Sequence, residues 1–303
     1  MTLRRTTLLG LAGAALVGAP GLAQQRVTRS MNLRKIASSG GMLPVVGCGT
    51  WRTFDVGKKP EERAPLAEVL KILFEAGGSA IDTSPMYGKA EGVVGDLLAA
   101  AGTRNKAFLA TKVWISGGDN GIAQMQKSME LLKTQRIDLM QVHNLLDWRV
   151  HLPTLRAWKQ EGKVRYIGVT HYTESAHIEL EKVLRAEQWD FVQLNYALDD
   201  RAVERRLLPL AAERGIAVIV NQPFGGGGLL RKLADRPLPG WAGEIGCTSW
   251  AQLLLKFVLA NPAVTCVIPG TGKPEHMRDN VQAGIGNYPE AALLKRMVSE
   301  VEG

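Results

Sequence analysis

The chain has 303 residues, 46% of them hydrophobic and 22% charged. That is a globular mix, long enough for one large core or two smaller domains, and it excludes a fibrous or low-complexity chain. The formal net charge of +8 is spread along the sequence, without an arginine-rich arm or a nucleic-acid-binding motif, so no nucleic-acid partner is expected. The three cysteines (Cys48, Cys247, Cys266) form no CxxC pair or disulfide framework, and the histidines show no metal-ligand spacing, so no metal is expected. Cys48 and Cys266 lie in apolar runs and read as small buried hydrophobes.

Residues 1–23, MTLRRTTLLGLAGAALVGAPGLA, have a short basic start, a moderately apolar run and then small residues. The run is too short and too rich in Gly and Ala for a good membrane span, and no stable span is expected after processing. The shape is that of an export signal with a cleavage position after Ala23. Arg4-Arg5 followed by Thr6, Thr7, Leu8 and Leu9 resembles a twin-arginine signal, which implies export of a folded protein through the twin-arginine machinery to the periplasm. The alternative is an uncleaved tail on a cytoplasmic enzyme. Residues 24–40 read as a polar linker, and residues 41–303 as the folded domain.

Strand-like apolar runs then recur at Pro44–Thr50, Ser79–Asp82, Ala107–Val113, Ile137–His143, Arg165–Thr170, Phe191–Asn195, Ala217–Asn221 and Thr265–Pro269. Most start about 26–30 residues apart, the spacing of βα units. Helical stripes fill the gaps: Leu66, Val69, Leu70 and Leu73; Ile122, Met125, Met129 and Leu132; Val203, Leu207, Leu210 and Ala211. Eight strands with intervening helices predict a parallel α/β sheet, either a barrel or a doubly wound sheet. The nearest approach to G-x-G-x-x-G is Gly47-Cys48-Gly49-Thr50-Trp51-Arg52, which lacks the third glycine. The expectation is therefore a single-domain (β/α)8 TIM barrel.

Three successive strands end on polar groups. Asp82 closes one and Tyr87 follows in its loop; Lys112 is near the end of the next; His143 ends the third. In a barrel these ends share one rim, where active sites sit. Each residue has a plainer reading: Asp82 and Lys112 as a structural ion pair, His143 as a hydrogen-bonded core histidine, Tyr87 as a loop cap. Their joint placement favours chemistry.

The D-x-x-x-x-Y-G spacing, the T-K lysine and the D-L-x-x-x-H histidine, with the later GKVRYIGVT stretch at Gly162–Thr170, resemble the aldo/keto reductase family. The resemblance runs from about Leu43 to Asn280. It implies reduction of an aldehyde or ketone by hydride from a nicotinamide cofactor, with Tyr87 as general acid. A free tyrosine, with a pKa of about 10, is a poor acid, and the Lys112 cation is expected to lower that value. Asp82 is expected to hold Lys112, and His143 to orient the carbonyl oxygen. By the same resemblance Trp51 and Trp114 line the substrate pocket.

The resemblance also implies a cofactor site. Thr170, His171 and Gln193 stand at the positions that hold the nicotinamide carboxamide, with His171 replacing the usual Asn. Asn221 stands where relatives carry a stacking aromatic, so either Phe224 substitutes or the ring stacks on amide. The segment Pro223, Phe224, Gly225, Gly226, Gly227, Gly228 and Leu229 brings four glycines whose N–H groups can approach a pyrophosphate. Gly272, Lys273, His276, Asp279 and Asn280 resemble the adenosine-phosphate segment. Lys273 is the nearest cation for a 2′-phosphate, so NADPH is preferred over NADH. Two other functions stay open: a Schiff-base lyase using Lys112, and a non-enzymatic nicotinamide-binding sensor subunit.

Overall fold

The computed structural model describes Thr2 and residues 30–302. The export segment and the first part of the expected linker lie outside the described residues, Thr2 apart. The first element among the described residues is an antiparallel hairpin, β1 (Leu33–Lys35) and β2 (Met42–Pro44), with Leu33 opposite Pro44. There follow β3 (Cys48–Gly49), α1 (Pro60–Glu75), β4 (Ala80–Asp82), α2 (Ala90–Ala101), β5 (Phe108–Val113), α3 (Gly118–Leu131), β6 (Ile137–His143) and α4 (Trp148–Gln160). The second half comprises β7 (Val164–Thr170), α5 (His177–Ala186), β8 (Phe191–Asn195), α6 (Leu207–Glu213), β9 (Ala217–Asn221), α7 (Gly228–Lys232), α8 (Trp250–Ala260), β10 (Val264–Val267), α9 (Pro274–Gln282) and α10 (Ala291–Glu302).

Strands β3 to β10 form one parallel sheet in sequence order. Isolated parallel bridges, Val46 to Val267 and Gly49 to Gly270, join its two edges. The result is the expected (β/α)8 barrel. The glycines of the Gly47-Cys48-Gly49 segment allow close approach to both neighbours, Gly47 to β4 and Gly49 to the closing edge. A Cβ on Gly47 would lie 2.7 Å from the Ala80 carbonyl oxygen, and one on Gly49 2.8 Å from that of Ile268.

Two expectations are corrected. Pro44–Thr50 is not one strand: Met42–Pro44 pairs with β1, and only Cys48–Gly49 joins the barrel. The described part of the expected linker is not a linker, because β1 sits in it. Ile36 and Leu43 pack with Phe108, Leu139, Tyr166 and Phe191 in the barrel interior, and Ser39 Oγ meets Tyr166 OH at 2.7 Å. The hairpin thus plugs the N-terminal end of the barrel. Its exposed residues make it read as a linker, while its few apolar side chains do the packing.

Side chains alternate along the barrel strands, with one irregularity in β10 between Val264 and Cys266. Val113, Met140, Val142, Val169, Val192, Val218 and Val220 point outward into the large core shared with the helices. Ala80, Phe108, Ala110, Leu139, Tyr166, Phe191, Ala217, Ile219 and Cys266 point inward. The inward set then turns polar toward the C-terminal ends: Asp82, Lys112, Gln141 with His143, Thr170, Gln193 with Asn195, and Asn221. The predicted helical stripes face the core as expected, with Leu66, Val69, Leu70 and Leu73 buried in α1.

Candidate active site

The ammonium of Lys112 is completely buried and Asp82 is 3% exposed. Lys112 Nζ donates to Asp82 Oδ2 at 2.7 Å and to the Thr83 carbonyl at 2.7 Å. The other carboxylate oxygen, Asp82 Oδ1, accepts from Gln193 Nε2 at 2.8 Å and from Gln141 Nε2 at 3.4 Å. Burial alone would lower the Lys112 pKa, but the Asp82 charge and Tyr87 outweigh it and hold the ammonium above its ordinary value.

Tyr87 closes over this pair. Its ring centroid lies 4.9 Å from Lys112 Nζ, a cation–π distance, and it meets His143 edge-on at 6.2 Å. Burial pushes the phenol pKa up, and the opposing pull of Lys112 does not overcome it. The expectation that Lys112 lowers this pKa therefore holds only as a partial offset. The phenol keeps its proton at neutral pH.

Burial, then repulsion from Lys112, brings the His143 pKa down to about 3, so its ring is neutral. Its Nδ1 lies 3.3 Å from Ser84 Oγ. With Ser84 donating to Nδ1, Nε2 carries the single N–H and can donate to an oxygen in the mouth. Trp114 stands 6.1 Å from the His143 ring, and Trp51 follows Thr50, whose N–H and hydroxyl both bond the Asp82 carbonyl. Trp51 is 49% and Trp114 39% exposed, so both stand open at the rim.

The expected cofactor residues divide into groups. Thr170 Oγ1 donates to Gln193 Oε1 at 3.2 Å, so Gln193 is tied on both sides. His171 Nδ1 accepts from the Tyr172 and Thr173 N–H groups at 3.1 and 3.3 Å, which leaves Nε2 to carry the proton. His171 thereby presents an N–H donor in place of an amide. Asn221 ends β9 with Oδ1 buried and unpaired, as are Thr83 Oγ1 and Asn144 Oδ1. Phe224 is half-buried and packs against the core.

Gly225, Gly226 and Gly227 all have positive φ (57°, 62° and 89°), a conformation that side chains resist. The turn bares its backbone ahead of α7. Pro223 and Leu229 are buried beside it. Asp199 lies against Gly225 and the Arg231 guanidinium against Gly227, where an added Cβ would come within 2.8 and 3.2 Å of them.

Lys273, the residue before α9, and His276 in its first turn are exposed, while Asn280 is buried. Gly272 packs near Leu66. Asp279 is already engaged: Ser249 Oγ donates to its Oδ2 at 2.6 Å and Gln252 Nε2 to its Oδ1 at 2.5 Å, which ties α9 to the start of α8.

Sequence reading missed Gln141, Ser84 and Arg231 as site residues. Gln141 had a signal, since it is two positions before His143 and so faces the same way. Ser84 lies in a loop and Arg231 in α7, a helix of five residues and too short for a period to mark direction.

A profile of the Aldo/keto reductase family matches residues 45–292. The chain belongs to the aldo/keto reductase family. It is therefore an NAD(P)H-dependent oxidoreductase. It is 30% identical to the methylglyoxal reductase YeaE of Escherichia coli (strain K12) over 258 residues, covering 82% of this chain and 89% of that protein. An aldo-keto reductase of Klebsiella pneumoniae in complex with NADPH superposes with a TM-score of 0.75 at 24% identity, covering 90% of this chain and 95% of the other. The holo form of an aldo-keto reductase from Bacillus halodurans gives 0.70 at 25% identity, covering 89% and 96%.

Proposed function

We propose that this member of the family reduces an aldehyde or ketone to an alcohol with NADPH, and that Tyr87 donates the proton. The observation that carries this reading is the wholly buried Lys112 ammonium under the Tyr87 ring, with two of its hydrogens fixed on Asp82 and Thr83. As a carbonyl becomes an alkoxide it needs a proton at its oxygen. Tyr87 holds that proton at neutral pH, and the ammonium behind it stabilises the phenolate left after transfer. Neutral His143 donates from Nε2 and orients the carbonyl. Trp51 and Trp114 flank the entry. When bound, the nicotinamide supplies the hydride.

The chain's own polar atoms fit such a cofactor. The unpaired Asn221 Oδ1 and the His171 Nε2–H offer one acceptor and one donor to a carboxamide, and Thr170 and Gln193 complete that wall. Gly225–Gly228 present a bare backbone to a pyrophosphate, with Arg231 adding positive charge beside it. Lys273 and His276 stand exposed for a 2′-phosphate, which favours NADPH, with NADH as the alternative. Asn280 and Gly272 shape the adenosine end. Asp279 acts there through its bonds to α8.

A Schiff-base lyase needs a neutral, accessible amine, and Lys112 is neither. The test is Tyr87→Phe. It should abolish most carbonyl reduction while NADPH binding, read by fluorescence, stays nearly intact; undiminished turnover would remove Tyr87 from the role. Residues 1–23 support export by the twin-arginine route to the periplasm, and among the described residues no helix is long and apolar enough to cross a membrane.

A further inference from the structure

We propose that Gln141 is a positioning residue of this site: with Gln193 it occupies one oxygen of Asp82, which reserves the third hydrogen of the Lys112 ammonium for Tyr87. The inference rests on the reading of Tyr87 as the proton donor, and it adds a residue outside the tetrad.

An ammonium has three hydrogens. Two are committed, to Asp82 Oδ2 and to the Thr83 carbonyl, each at 2.7 Å. The third faces Tyr87 only while Asp82 does not take it. A carboxylate left free at Oδ1 can turn and hold two ammonium hydrogens at once. Here Oδ1 is taken from two directions, by Gln193 at 2.8 Å and Gln141 at 3.4 Å. Gln193 is also fixed by Thr170.

Gln141 itself is fixed by packing. It is completely buried, and it pairs in register with Lys112 on β5 and with Gly168 on β7. Gly168 makes room for it: a Cβ there would lie 3.3 Å from Gln141 Cγ and 2.8 Å from the Phe191 carbonyl oxygen. The Gln141 Oε1 atom is buried and has no hydrogen-bond partner. An amide with one end buried and without a protein partner is poorly placed for folding alone. Its donor end on Asp82 Oδ1 is what it contributes.

The ionisable groups around Tyr87 come from several elements. Lys112 on β5 pulls the phenol pKa down, and Asp82 on β4 pushes it up. His143 on β6 is neutral, held so in part by Lys112 and His171. Glu91 on α2 feels the Lys112 charge from outside the barrel. Cys48 and Cys266, inside the wall, are held as neutral thiols by burial. Among the described residues only Lys112 favours the phenolate directly, so its third hydrogen bears on how far the phenol can be acidified.

Gln141→Met keeps the volume beside Gly168 and removes the donor. Asp82 Oδ1 is then held by Gln193 alone, so the carboxyl is freer to turn toward the third hydrogen, and Tyr87 loses part of its cation support. The phenol pKa should rise by about one unit, a tenfold change in phenolate at a given pH. The readout is an alkaline titration of tyrosinate absorbance, taken as the difference between each protein and its Tyr87→Phe counterpart, with circular dichroism to confirm folding. It needs no turnover, so it stands whether or not carbonyl reduction is found. Where turnover is found, the onset of alcohol oxidation should move to higher pH by the same amount while NADP binding stays within about twofold, a change well under one unit on the same scale. If Gln141→Met does not fold, Gln141→Leu serves, because it too removes the donor without adding a charge. An unmoved Tyr87 midpoint in a folded variant overturns the proposal, whatever happens to the rate.

Discussion

Each polar side chain of the mouth has only a few hydrogens to give, and their assignment explains what each residue can do. His143 is the sharpest case. With a pKa near 3 it offers one N–H, and Ser84 decides which nitrogen carries it. Ser84→Ala should lower kcat/KM for the carbonyl about fivefold, the worth of a hydrogen bond of about 1 kcal/mol, while cofactor binding is unchanged; equal loss of both would mean that the loop itself had collapsed. The same depressed pKa has a consequence for stability. The unfolded chain takes up a proton at this histidine below about pH 6.5, and the folded chain does so only near pH 3. Folding therefore loses stability as pH falls through that window, by about 1.4 kcal/mol per unit from this group at its steepest. His143→Gln should flatten the acid side of a denaturation series between pH 6 and 4, and a slope equal to wild type would show that the ring is not held neutral. Asp82, Tyr87, Lys112 and His143 were legible in the sequence because strand ends and spacing mark them. The direction of the Tyr87 shift was not, because burial is a property of the closed barrel and a sequence shows only the neighbouring charge.

The strands carry the most readable part of this fold, since a period of two needs only local order. The bounds of the runs at Ile137–His143, Phe191–Asn195 and Ala217–Asn221 agree with the structure because each is a short, largely apolar run buried along almost its whole length. The same period extended past Leu139 assigns Gln141 to the interior with His143. Where reading failed, the determinant was non-local. Met42–Pro44 and Cys48–Gly49 look continuous, and only the hairpin partner at Leu33–Lys35 and the bridges to β10 divide them. Gly47 and Gly49 suggest half of a dinucleotide fingerprint, and only the Ala80 and Ile268 carbonyls explain them. Gly49→Ala should therefore destabilise the barrel by about 1–3 kcal/mol through overpacking at the seam, lowering Tm by several degrees. Gly240→Ala, where an added Cβ meets nothing within 4 Å, is the control. A Gly49 variant as stable as that control would mean that the seam relaxes freely.

On the scale of the whole molecule, the first and last barrel strands are neighbours although they lie far apart in sequence. Gly49 meets Gly270, and Val46 meets Val267. The interior core also needs the N-terminal hairpin, through Ile36 and Leu43. The barrel thus cannot close until nearly all of the chain is present, and contacts of that range form slowly. A chain threaded unfolded through a membrane would have to close this seam on the far side, where nicotinamide cofactor is scarce. Export after folding avoids both problems, and it is the route that Arg4-Arg5 and the short apolar run resemble. Replacing the pair, Arg4→Lys with Arg5→Lys, leaves charge, length and hydropathy nearly unaltered. The variant should remain in the cytoplasm as active enzyme, whereas the parent chain appears in the periplasmic fraction with its N-terminus removed near Ala23. Deleting residues 1–23 should give the same cytoplasmic, active protein, because the barrel and its plug begin beyond them. Fractionation with N-terminal sequencing reads both results, and a parent chain found in the cytoplasm with Met1 or Thr2 at its start would assign the segment to an uncleaved tail.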